Sequence, residues 1–143
     1  MYEKLGQFID GKWQQSSDKG TYDVINPATE EIIGQASKAT TDDVERALKS
    51  AEKGLEIWKK TPPWQRSNIL RKIADTIRLK KDVFAKWMTL ENGKPLAEGA
   101  AEANGTADIF EWNAEETKRI YGQTIESRFE DTRIHVYYQP VGV

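Results

Sequence analysis

The apolar residues of this chain change period twice, and that change limits the folds open to it. Up to about residue 40 they come in short or alternating runs cut by turn residues. From Thr40 to about Tyr121 they recur every three or four positions, and alternation then returns. This order predicts β-hairpins at both ends and helices between them, an α+β arrangement rather than repeated βαβ units.

The first segment supplies two hairpins. In Phe8-Ile9-Asp10-Gly11-Lys12-Trp13 an Asp-Gly pair separates apolar residues, the local chemistry of a type I′ turn. Tyr22 to Ile25 and Ile32 to Ala36 flank Asn26-Pro27-Ala28-Thr29-Glu30, where the fixed φ and missing donor of proline argue for a longer loop.

Three long helices are expected next. Thr40 caps the first, with Asp43 as a short-armed capping-box partner. Val44, Ala47, Leu48, Ala51, Leu55 and Trp58 form its apolar stripe. Thr61-Pro62-Pro63 ends it and opens the second, which buries Ile69, Leu70, Ile73, Ala74 and Ile77. That helix is expected to break briefly at Lys80-Lys81-Asp82 and to resume through Val83, Phe84, Trp87, Met88 and Leu90. Asn92-Gly93-Lys94-Pro95 is a stop: Gly93 suits a left-handed C′ position and Pro95 forbids continuation. The third helix is expected from Leu96 to Tyr121, closed by Gly122. Its first half is small, with Gly99, Ala100, Ala101, Ala103, Gly105 and Ala107, so another backbone or a channel can come close. Arg133 to Gln139 reads as a half-buried strand.

Composition narrows the chemistry. The 143 residues contain no cysteine, which excludes disulfides, a thiolate nucleophile and cysteine-ligated metal, and one histidine, which leaves no His-pair site. Net charge is −2, without the positive field that nucleic acid needs. No stretch approaches the roughly 20 apolar residues of a membrane helix, and Met1 to Gly6 lacks a signal-peptide pattern. A cytoplasmic protein is expected. The apolar ending Pro140-Val141-Gly142-Val143 looks like an interrupted strand and suggests a fragment.

No residue pattern here makes an active site by itself. There is no G-x-G-x-x-G, and Asn92-Gly93-Lys94-Pro95 lacks the earlier glycine and the Ser/Thr of a phosphate loop. The acidic pairs Asp42-Asp43, Glu115-Glu116 and Glu130-Asp131 read as solvated or as complements to helix dipoles. Lys59-Lys60, Arg71-Lys72 and Lys80-Lys81 read as solvated helix faces, and His135 as a structural surface residue. Asn104-Gly105-Thr106 matches a glycosylation sequon but falls within a helix. Trp87, Phe110 and Trp112 read as core, with a ligand wall as the alternative.

Several phrases together resemble one family. Phe8 to Trp13, Val24-Ile25-Asn26-Pro27-Ala28-Thr29, and Thr89-Leu90-Glu91-Asn92-Gly93-Lys94-Pro95-Leu96-Ala97-Glu98 are similar to the N-terminal third of NAD(P)-dependent aldehyde dehydrogenases. Phe110-Glu111-Trp112-Asn113-Ala114-Glu115-Glu116-Thr117-Lys118-Arg119-Ile120-Tyr121-Gly122 most resembles the succinate-semialdehyde dehydrogenases, and Gln139 to Val143 resembles the entry into the first dinucleotide-fold strand.

The resemblance implies that residues 1–122 are the N-terminal helical and hairpin part of a cofactor-binding domain. It implies an oligomerisation hairpin at 123–139, making a homodimer or homotetramer, and the start of a dinucleotide-fold strand at 140–143, with the Rossmann core absent. The implied activity of a parent enzyme is oxidation of a small aldehyde, succinic semialdehyde favoured, with NAD or NADP. Lactaldehyde- or glycolaldehyde-type enzymes and a free-standing, non-catalytic interaction module are the alternatives. The family's catalytic Cys, general-base Glu, oxyanion Asn and cofactor turn have no counterparts here, so the chain alone is expected to be inactive and to bind no nicotinamide cofactor. Two further sites are implied by the resemblance. Ala101 and Gly105 would line a substrate tunnel, with helix packing as the alternative. Val24, Ile25 and Glu91 would hold Na⁺ or K⁺, with an exposed Glu91–Lys94 pair as the alternative.

Overall fold

The computed structural model describes residues 6–143; the leader reading of Met1 to Gly6 rests mainly on residues outside that range. Strands β1 (Gln7–Ile9) and β2 (Lys12–Gln14) pair antiparallel with Phe8 opposite Trp13. Asp10 and Gly11 have φ of 54° and 74°, the positive pair that a type I′ turn demands. Strands β3 (Thr21–Ile25) and β4 (Ile32–Ser37) form the second hairpin, with a bulge between Val24 and Ile25. Asn26 closes its loop: its side-chain oxygen accepts from the Ala28 amide at 3.0 Å, and its own amide donates to the Glu31 carbonyl at 2.9 Å.

Four helices follow, α1 (Thr41–Trp58), α2 (Pro63–Leu79), α3 (Lys81–Asn92) and α4 (Leu96–Glu116). The expected break is thus a full helix boundary at Lys80, whose φ of −102° and ψ of 16° end α2 and begin α3. The last helix stops at Glu116, five residues before Tyr121. The Lys118 and Arg119 amides turn back to the Glu115 and Glu116 carbonyls in three-residue turns, and the Thr117 hydroxyl accepts from Arg66 Nε at 3.1 Å. Tertiary capture of Thr117 outweighs the helical periodicity of the sequence there. Strands β5 (Gln123–Glu126) and β6 (Arg133–Val136) make a third antiparallel hairpin, shorter than the expected run to Gln139.

The packed centre is the contact of α4 with α2 and α3. Its buried residues are small: Ala74, Ala85, Ala103, Ala107 and Ala114, with Gly99 against the Ala85 backbone. Charged side chains flank this contact, Arg78 reaching Asp108 and Glu111 at 2.7 Å each and Arg71 reaching Glu115. Large apolar side chains lie mostly outside it. Val44, Leu48 and Trp58 of the α1 stripe and Ile69 of α2 are exposed, contrary to expectation, because the described residues place no neighbour over those faces.

Candidate functional site

Three places carry the residues singled out by sequence. At the end of α3, Gly93 adopts φ 80° and donates its amide to the Thr89 carbonyl at 2.9 Å. A Cβ on Gly93 would lie 3.0 Å from Pro27 Cγ, so this helix end touches the Asn-Pro turn that follows Val24 and Ile25. Glu91 lies two residues before that contact and the β3 bulge two residues before Pro27. Val24 is half-buried, whereas Ile25 and Glu91 are exposed. Lys94 pairs with Glu102 on α4. Among the described residues no group of three or more His, Cys, Asp or Glu could hold a metal ion, so any cation here would depend mainly on carbonyl oxygens.

On α4 the small residues divide between two faces. Gly99, Ala103 and Ala107 are buried. Ala101 and Gly105, one turn apart, are exposed, and a Cβ on Gly105 would meet nothing within 4 Å. Close packing among the described residues therefore does not explain Gly105. The aromatic expectation also divides. Trp87 and Trp112 are 37% and 69% exposed, so they are not core here, while half-buried Phe110 lines an open cleft with Trp58 and Leu70.

The third place is only partly legible in the sequence. The Thr40–Asp43 capping box forms as expected, with Asp43 accepting from the Thr40 amide at 3.0 Å and Thr40 Oγ1 from the Asp43 amide at 3.2 Å. Asp43 is also 1% exposed and accepts from the Ser17 amide at 3.1 and 3.2 Å and from Arg46 at 2.5 Å. Gln7 Nε2 approaches it at 3.4 Å. The Thr40 amide, helped by Arg46 and the Ser17 amide, holds this carboxyl far below the ordinary value of 3.8 against the opposing effect of desolvation. The signal was the short arm: Asp at this position keeps its carboxylate over the helix start, where a second segment's amide can reach it.

The β5–β6 ribbon is exposed along nearly its whole length. Thr124 Oγ1 lies 3.2 Å from His135 Nδ1 across it. At its base a Cβ on Gly122 would run into the Val136 carbonyl oxygen.

The aldehyde dehydrogenase family model matches residues 13–143. This chain belongs to the aldehyde dehydrogenase family. It is 42% identical to a glutarate-semialdehyde dehydrogenase of Pseudomonas aeruginosa, over 95% of this chain and 28% of that protein. It is 38% identical to the NADP⁺ succinate-semialdehyde dehydrogenase GabD of Escherichia coli, over 94% of this chain and 28% of that protein. Among solved structures, an NADP-dependent enzyme of E. coli aligns over 92% of this chain and 27% of that chain, with TM-score 0.89 and 36% identity. A betaine aldehyde dehydrogenase of Staphylococcus aureus in complex with NAD⁺ aligns over 90% and 26%, with TM-score 0.85 and 34% identity. The chain therefore spans just over a quarter of these relatives, corresponding to the N-terminal part of the family domain.

Proposed function

We propose that this chain is the N-terminal part of an NAD(P)-dependent dehydrogenase that oxidises the semialdehyde of a short dicarboxylic acid, succinic semialdehyde first, to the diacid. The observation that carries this reading is its identity, over nearly its whole length, to enzymes named for glutarate and succinate semialdehydes. The family's chemistry needs a thiolate nucleophile, and this sequence has no thiol. The described residues do not fit a nicotinamide dinucleotide either. There is no glycine-rich turn, and the described strands form three antiparallel ribbons with no parallel pair feeding a helix N-terminus. The chain's own contribution is a scaffold of helices and hairpins.

Three finer assignments accompany this reading. Ala101 and Gly105 leave room beside a substrate path, supported by the open space at Gly105. The Val24 and Ile25 carbonyls with Glu91 take a monovalent cation, supported by the Pro27–Gly93 contact. The hairpin within 123–139 pairs with a second copy in a homodimer or homotetramer, supported by its exposed strands.

The test is reduction of NAD⁺ or NADP⁺ followed by absorbance. The whole protein carrying this chain should favour succinic or glutaric semialdehyde over lactaldehyde and glycolaldehyde, and the 143-residue chain alone should show no turnover. Aldehyde-dependent turnover by the pure chain overturns the scaffold role, and preference for lactaldehyde overturns the substrate. Gly105→Met in the whole protein should impair larger aldehydes more than small ones. Equal impairment removes the tunnel role. Crystals of the whole protein soaked in Rb⁺ should show an anomalous peak at Glu91 and the Ile25 carbonyl, and a clean map without one removes the cation.

A further inference from the structure

We infer that the cleft between the β1–β2 ribbon and α1 is a binding site for a small phosphate-bearing anion. Arg46, Lys49 and Lys53 are spaced three and four apart and so share one side of α1. Lys12 approaches from β2. These four cations line a cleft of about 390 Å³ whose one acidic lining residue among those described is Asp10, in the hairpin turn. Asp43 balances Arg46, and Lys12, Lys49 and Lys53 against Asp10 leave the lining itself with a net positive charge.

The polar groups of the cleft are arranged as donors. Arg46 gives one guanidinium nitrogen to Asp43 at 2.5 Å and another to Gln14 Oε1 at 3.2 Å. Buried Asp43 is itself held by backbone amides, so it fixes the guanidinium in place. Gln14 has its acceptor end occupied by Arg46, which leaves its amide nitrogen to donate. Among the described residues no carboxylate forms an ion pair with Lys12, Lys49 or Lys53; Glu56, three residues beyond Lys53, pairs with Lys59 at 2.5 Å. Several donors and few acceptors suit a ligand whose oxygens only accept and whose charge exceeds that of one carboxylate. The cleft volume fits a small molecule. The site stands on β1, β2 and α1 and is independent of the dehydrogenase reading.

Isothermal titration of the chain with inorganic tripolyphosphate and, in parallel, with ATP at low salt tests this. We expect saturable binding, weakened about tenfold or more in K49Q/K53Q and unchanged in K80Q/K81Q, a control pair at the α2–α3 junction. Lys49 and Lys53 are exposed, and circular dichroism checks that the fold is kept. Equal affinity for the two probes assigns the site to phosphate groups alone; tighter binding of ATP assigns it to a nucleotide. Amide chemical-shift changes should concentrate on β2 and on residues 46–53 of α1. No saturable heat up to roughly 10 mM tripolyphosphate, or equal weakening by both double variants, overturns the site.

Discussion

The two halves of the molecule are held by different physics. Helices α2, α3 and α4 meet through alanines and one glycine, so closely that a single added methyl would strike backbone at Gly99. Helix α1 meets the hairpins beside buried Ile9 and through one buried carboxylate that gathers amides from Thr40 and Ser17 together with Arg46, while Val44 and Leu48 stay exposed. The first half depends on volume and the second on charge. Acid should therefore loosen one, and added methyl groups the other.

The largest effect is expected at the charged node. Asp43→Ala leaves the Ser17 and Thr40 amides without their acceptor, and the thermal midpoint should fall by roughly 10 °C. A midpoint within about 2 °C of the parent would show that α1 is held by something else. The same group sets a pH dependence. Because its folded pKa lies below the ordinary 3.8, its contribution is complete above that value and is lost as pH falls through it toward the lower folded value. Stability from this group should be flat between neutrality and about pH 5, then decline. Asp43→Asn should flatten the acid limb, and an unchanged limb would assign it to other carboxylates.

Volume governs the next three. Ala107→Leu forces extra atoms into a fully buried position and should cost about 2–3 kcal/mol in urea unfolding. Gly99→Ala should cost less, about 1 kcal/mol, because its Cβ would sit 2.9 Å from the Ala85 carbonyl oxygen while helix propensity gains. Gly105→Ala should instead stabilise by about 0.5–1 kcal/mol, since its site is open and alanine favours helix. A loss at Gly105 as large as that at Gly99 would erase the distinction between the two faces of α4.

What could be read from sequence was what short-range rules decide. The Asp10-Gly11 turn, the Thr40–Asp43 box, Pro62-Pro63 and Gly93 each depend on a few neighbouring residues, and each is found in place. What escaped depends on distant partners. Thr117 leaves the helical pattern because Arg66, 51 residues away, engages its hydroxyl. Trp112 falls on a helical stripe but outside the face that the described chain covers. Periodicity finds a stripe without showing what covers it. The cleft of Lys12 and Lys53 was equally hidden, because its cations come from separate elements and alternate with acids along the sequence.

The contact at Gly122 sets the aim of the last ribbon. With hydrogen as its side chain, residue 122 lets the Val136 carbonyl pass where any Cβ would stand. A methyl there would pry the two strand ends apart at their root, and the ribbon would act as a lever. Four residues of strand reach about 13 Å, so a tilt of about 10° at the root moves the tip by roughly 2 Å. Hydrogen-bond pairing between strand edges tolerates much less than that. One absent carbon atom thus governs the direction in which the ribbon points.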